Sequence, residues 1–220
     1  MSFYNTILQE AIEIFHTNGV DALSEKALIR KLNVSEATFH EFFENKEDLL
    51  LQAISYSLEE EREEHTDIRN ASLNPVEEIM GMLNYGIKQL KEISPLFFPE
   101  LIKSYPAAWD LYMEQSHNYT VPQLADILER GIEEGYFCND INVDIVTRLI
   151  LGQVNVMLDQ TLFPADQFRM SEIYKAVYLH LIRGICTREG VEITEKFFSF
   201  TKSEKSAELP FSAEEEENKN

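Results

Sequence analysis

The chain's 220 residues are 44% hydrophobic and 26% charged, which suits one large or two smaller globular domains with a proper core and excludes a wholly disordered chain. Its 19 Lys+Arg against 39 Asp+Glu give a formal net charge of −20, a surface that repels phosphate backbones at long range and so, taken alone, argues against any nucleic-acid function. Cys138 and Cys186 lack any Cys-x-x-Cys or nearby Cys/His spacing, so no disulfide framework, metal site or cofactor is expected.

The first residues, Met1-Ser2-Phe3-Tyr4-Asn5, have neither the basic stretch nor the apolar run of a signal peptide. The most apolar segment, 149–158, is about half of what a bilayer requires and is broken by Gln153 and Asn155. A cytoplasmic protein without membrane association is expected.

With only 8 Gly and 7 Pro, and apolar residues recurring every three or four positions, the pattern predicts an all-α chain. Leu8, Ala11, Ile12 and Phe15 share one face of a first helix, which Gly19 ends. Ser24 opens a short second segment with Leu28, Ile29 and Leu32 as its stripe, and Asn33 stands where a tight turn needs a residue tolerant of positive φ. Ser35 caps a third segment carrying Thr38, Phe39, Phe42 and Phe43, and Asn45 with Asp48 opens a long fourth helix. That helix carries Leu49, Leu50, Ala53, Ile54 and Leu58 before an acidic run at 59–64, read as a solvated face.

Pro75 suits a first helical position ahead of Val76, Ile79, Met80, Leu83 and Ile87. Pro95, Pro99, Pro106 and Pro122 are expected to divide the next stretch of chain into short helices and bends. Further helices are predicted over 124–135, over 143–162, which is apolar on more than one face, and over 171–187. The tail at 201–220, with four glutamates in a row at 214–217, is expected to be a disordered acidic end.

Two short helices joined by a turn and packed on a preceding helix give the layout of a helix-turn-helix, here over 24–43. The residues in those places resemble the DNA-binding domain of the TetR family of transcriptional regulators. Ile7-Leu8-Gln9-Glu10-Ala11 with Phe15 and Gly19 is similar to its first helix, and Ser24-Glu25-Lys26-Ala27-Leu28-Ile29-Arg30-Lys31-Leu32-Asn33-Val34-Ser35 to its second helix and turn. Ser35-Glu36-Ala37-Thr38-Phe39-His40-Glu41-Phe42-Phe43-Glu44-Asn45-Lys46-Glu47-Asp48-Leu49 follows its Ser-x-x-Thr pattern and closing Phe-x-x-Lys-Glu-x-Leu.

The resemblance covers about residues 4–55. It implies a three-helix DNA-binding domain at 1–47, a helical effector-binding and dimerisation domain at 48–200, and a repressor that binds double-stranded operator DNA as a homodimer. It also implies that Ser24, Thr38 and Lys46 face phosphates, that Glu36, Ala37, His40 and Glu41 face the major groove, and that Ser35 belongs to the same DNA-binding surface. The bland readings stay beside these: the serines can merely cap helices, and Lys46 can be a solvated charge.

Departures from the family pattern are His40 for the usual tyrosine, Glu36 at a place often held by lysine, and Ile29 and Leu32 where small residues are common. Residues 1–50 hold four basic side chains (Lys26, Arg30, Lys31, Lys46) against nine acidic ones, whereas most DNA-binding modules are locally basic. A helical dimer that has lost DNA binding, serving as a ligand sensor or protein–protein adaptor, is therefore the alternative. Beyond residue 55 the resemblance is architectural, and it implies a dimer through the helices at 143–162 and 171–187; burial of both helices inside one subunit would give the same pattern.

Between 80 and 119, Met82, Tyr85, Phe97, Phe98, Leu101, Tyr105, Trp109, Tyr112 and Met113 cluster around the helix breaks. They are candidates to line an adaptable pocket for a small-molecule effector of apolar or aromatic character, with plain core packing as the alternative. An enzyme is not expected. The five histidines are scattered, and no nucleophile elbow, His-Glu-x-x-His or phosphate-binding glycine loop is present.

Overall fold

The structure, a computed structural model, describes residues 2–207. Among them the chain is all-helical: α1 (Phe3–Asn18), α2 (Glu25–Lys31), α3 (Glu36–Phe42), α4 (Lys46–Ala71), α5 (Pro75–Glu92), α6 (Phe97–Ser104), α7 (Pro106–Gln115), α8 (Val121–Glu133), α9 (Val143–Leu158), α10 (Met170–Ile185) and α11 (Arg188–Ala207). A single π-helical turn at Ser116–Thr120 joins α7 to α8, and the one extended contact among the described residues is an isolated bridge pairing Phe137 with Cys186.

Local chemistry sets the helix starts. The side chains of Ser2, Ser24, Ser35, Asn45, Asn74 and Asn142 each accept a hydrogen bond from a backbone N–H in the first turn of the following helix, meeting donors that the helix itself leaves orphaned. Asn33 has the positive φ (55°) its turn demands, and Gly19 (φ 87°) ends α1.

Two hydrophobic cores form. The first unites Leu8, Ala11 and Phe15 of α1 with Leu28, Phe39 and Phe43 of the helix-turn-helix and Leu49, Leu50 and Ile54 of α4. It does not stop at residue 47, since Phe97, Leu101 and Ala108 from α6 and α7 complete it. The second joins α5, α8, α9 and α10 through residues such as Met80, Ile127, Phe137, Ile150 and Ile182. Arg130 of α8 fastens this core by donating to the buried Glu78 of α5 (2.6 Å) and to Asp126 (3.0 Å), which Arg69 of α4 also reaches at 3.0 Å.

Several expectations are corrected. The helix expected over 143–162 ends at Leu158, because Asp159 turns the chain by accepting from the backbone N–H and hydroxyl of Thr161 (2.8 and 2.6 Å). Pro122 does not interrupt the chain, for the wide π-helical turn carries α7 into α8 and leaves the proline in the first turn of α8. Thr187 opens a new helix instead of closing the last one, with its hydroxyl accepting from the Gly190 N–H (3.4 Å). Residues 201–207, expected to be disordered, continue α11; the remainder of the acidic tail lies outside the described residues.

The first core is clamped across the chain by one carboxylate. Glu100 of α6 accepts from the backbone N–H groups of Val20 (2.5 Å) and Asp21 (3.1 Å) in the α1–α2 loop, and Tyr105 O–H donates to Asp21 at 2.8 Å. Replacing Glu100 with Ala strands both amides. At about 1–3 kcal/mol for such a loss, the thermal unfolding midpoint should drop by roughly 2–10 °C; unchanged melting followed by circular dichroism would show the clamp to be idle.

Candidate functional site

Helix α3 closes its core with Phe39 and Phe43, which are 0% and 2% exposed. Its opposite face is open: Ser35, Glu36, Ala37, His40 and Glu41 are all exposed, and Thr38 is half-buried. Ser35 Oγ accepts from the Thr38 N–H (3.0 Å) and lies 2.8 Å from Thr38 Oγ1, so the two hydroxyls form one polar corner at the helix start. Ser24, also exposed, caps α2 by accepting from Ala27 N–H at 3.4 Å.

Lys46 is placed differently. It is half-buried, and its ammonium donates to the Leu23 carbonyl at 2.8 Å. Burial pulls its pKa down while Asp21, Glu100 and Glu25 hold it up, so this cation faces its own module's acids as well as the solvent.

The second feature is a cavity of about 400 Å³ between the two cores. Of the pocket candidates, Tyr85, Phe98, Trp109, Tyr112 and Met113 line it. The other four do not. Met82 belongs to the second core and faces a small neighbouring void with His65, Phe97 and Leu101 are sealed in the first core, the Phe97 ring against His16 (4.7 Å between centroids), and Tyr105 turns to Asp21. Helix spacing around Pro99 and Pro106 leaves Phe97, Leu101 and Tyr105 on faces directed at other neighbours.

Several wall residues lie outside the stretch to which the sequence pointed. Gln9, Ile12, Glu13 and His16 come from α1, Tyr56, Glu60 and Glu61 from α4, and Val154, Met157, Met170 and Tyr174 from the C-terminal helices. A usable signal existed for Glu61: it continues the inward stripe Ile54, Leu58 and His65 on α4, although it lies within an acidic run. Gly86 admits the ring of Tyr174, whose hydroxyl would stand 2.6 Å from any Cβ there.

Burial dominates the cavity's electrostatics. It drives the Glu61 carboxyl up to about 7, with Arg62 opposing, and pushes the His16 imidazole down to about 4. Burial followed by the charge of Glu61 raises the Tyr85 and Tyr112 phenols. The basic atom paired with Glu61 is His65 Nε2, 3.7 Å from its Oε1.

The cavity and the helix-turn-helix share structure. Helix α1 is a cavity wall on one side and the support of α3 on the other, and the Ser94 N–H ahead of α6 donates to the His16 carbonyl at 2.6 Å. The cavity wall and the support of α3 are thus one helix, with no element between them.

Known proteins agree with this geometry. Residues 7–53 match the family model described as bacterial regulatory proteins, tetR family. The HTH-type transcriptional repressor KstR2 of Mycobacterium tuberculosis is 22% identical over 188 residues, spanning 84% of this chain and 93% of its own. A TetR-family transcriptional regulator from Agrobacterium tumefaciens superposes with a TM-score of 0.65 at 17% identity, over 83% of this chain and 97% of its own. The fatty acid degradation regulator FadR from Bacillus halodurans superposes at 0.60 with 17% identity, over 81% and 97%.

An all-helical transcriptional regulator with an N-terminal helix-turn-helix and a C-terminal helical domain is therefore the class of this protein. Within it, residues 7–53 are similar to the tetR family of bacterial regulatory proteins.

The two perturbed groups in the cavity predict a pH profile. Glu61, raised in the fold from 4.5 to about 7, contributes stability that is complete below its unfolded value and is lost as pH climbs through 7. His16, lowered from 6.5 to about 4, contributes stability present above its unfolded value and lost as pH falls toward 4. Glu61→Gln should therefore melt several degrees above the parent at pH 8, with the gap closing toward pH 5. A gap that did not vary with pH would contradict the burial of this carboxyl.

Proposed function

We propose that this regulator is a repressor, with a DNA-binding module at 1–47 and an effector and dimerisation domain at 48–200, that releases its operator when a small molecule fills the cavity bordered by α1. The observation that carries the reading is the double duty of α1: it supports an exposed polar α3 and walls a cavity large enough for a ligand. A ligand that displaces Ile12 or His16 moves the helix on which Phe39 and Phe43 rest. In a dimer, such a shift alters the spacing of two recognition helices that must match successive major grooves. Its role is regulatory, not catalytic, and cytoplasmic; no described helix is long and apolar enough to cross a membrane.

On this reading Glu36, Ala37, His40 and Glu41 meet base edges, where a carboxylate can accept from cytosine N4, and Ser24, Ser35, Thr38 and Lys46 approach phosphates. The dimer forms through α9 and α10. Ile145, Leu149 and Val156 stay 54%, 51% and 42% exposed along one face of α9, and Gly152 between them, like Gly184 on α10, has open space beside it. A stripe of that breadth is ready to be covered by a second copy.

Selection of DNA from a random pool by the purified protein tests the function. A two-fold symmetric operator is expected, and a well-folded dimer that selects nothing would leave the adaptor role instead. On the selected operator His40→Ala should cost about 1–3 kcal/mol, whereas Glu36→Lys should strengthen binding to unrelated DNA and steepen its salt dependence by about 0.9 per new phosphate contact. Leu149→Glu should turn the dimer into a monomer in sedimentation, and persistence of the dimer would move the interface elsewhere.

A further inference from the structure

The cavity's charge pattern narrows its ligand. Among the described residues that line it there is no Lys or Arg, yet Glu61 lies within it and the exposed Glu13 and Glu60 stand at its edge. Its walls are rich in rings, with Tyr56, Tyr85, Phe98, Trp109, Tyr112 and Tyr174 contributed by several different helices. Aromatic faces carry negative potential, and they attract a cation most strongly when it is desolvated over them.

We propose, on the reading of this cavity as the effector site, that it selects a lipophilic organic cation, an amine or quaternary ammonium carrying an apolar chain or ring system, with Glu61 as its counter-ion and the surrounding rings as its cage. The pairing of Glu61 with His65 is a loose one at 3.7 Å, so its carboxylate is available to a ligand. An anion would meet that carboxylate with nothing in the wall to offset it. The basic side chains Lys91, Arg169 and Lys175 line an adjoining groove beyond Leu90 and Phe98, together with Glu92 and Glu172, and an anionic amphiphile would have to place its head there.

Cation binding should also strengthen between pH 6 and 8, as the half-buried Glu61 carboxyl, held near 7 by desolvation when the cavity is empty, ionises. The titratable groups that face it are shifted away from that interval. His16 from α1 and His65 on its own helix are pushed down by burial, while Tyr56, Tyr85, Tyr112 and Tyr174 are pushed up. Arg62 on its own helix and Glu13 and Glu60 at the rim supply the remaining charges around it.

Three probes with one chain and different heads decide the matter: decyltrimethylammonium, decanesulfonate and decanol, titrated calorimetrically below their aggregation limits in about 0.15 M salt, where surface attraction is screened. Trp109 lies in the wall and is the chain's single tryptophan, so its fluorescence reports occupancy of this cavity in particular. The expected result is one ammonium probe per chain, bound at least ~tenfold more tightly than either of the others, with Glu61→Gln erasing most of that preference.

Equal or tighter binding of the sulfonate or the alcohol would overturn the proposal, as would failure of the ammonium to bind or a preference that survives Glu61→Gln. The comparison of heads on the unmodified protein does not depend on the variant folding. The regulator reading is judged separately by DNA selection without ligand: a protein that selects an operator yet prefers the sulfonate sinks only the ligand class, and one that captures the ammonium but selects no DNA sinks only the regulator.

Discussion

Helix α1 has to satisfy two neighbours at once, and the rest of the structure depends on how it does so. Its Leu8, Ala11 and Phe15 close the small core on which α3 stands, while Gln9, Glu13 and His16, turned by about a third of a helical circumference, complete the cavity wall. Ile12 belongs to both. Packed interiors do not deform smoothly, so a change in what α1 touches on one side has to be met by a shift on the other. The Glu100 carboxylate holds the loop after α1 and makes that helix part of a rigid lever rather than a frayed end.

The acidity of the chain acquires a structural meaning. In the DNA-binding module, Lys46 is tied to a carbonyl and encircled by Asp21, Glu25 and Glu100, which reduces the general pull toward phosphate. On the proposed reading, affinity then comes from matched contacts along α3 summed over two subunits, with an operator that supplies groups two exposed glutamates can accept from. At the cavity the same excess of carboxylates lines a wall and its rim, and on the proposed reading it becomes a preference about charge instead of a solubilising coat.

Much of this was legible in the sequence where one residue has one physical task. The caps Ser24, Ser35 and Asn45, the turn residue Asn33 and the paired Phe39 and Phe43 identify the module because each solves a local problem that few other residues can. The all-α class was equally plain from spacing. The cavity was half legible: an aromatic cluster around helix breaks pointed to Trp109, Tyr112 and Met113, but whether Phe97 or Phe98 faces the void depends on a rotation that Pro99 and Pro106 set in three dimensions. The contributions of α1 and Glu61 were hidden because both sit in segments whose sequence already had a sufficient explanation, as a support helix and as a solvated acidic face. The start of α11 was hidden for a related reason: Thr187 read as the end of the last helix, whereas its hydroxyl begins a new one.

The central claim is that filling the cavity moves α1 and so weakens the grip of α3 on DNA. A substitution that occupies the space permanently tests this without any ligand: Met113→Trp, at a position in the cavity wall. The account predicts a folded dimer whose affinity for its selected operator is lower by about tenfold or more, a typical allosteric coupling. A folded variant that binds the operator as tightly as its parent would show that the cavity and the helix-turn-helix do not communicate.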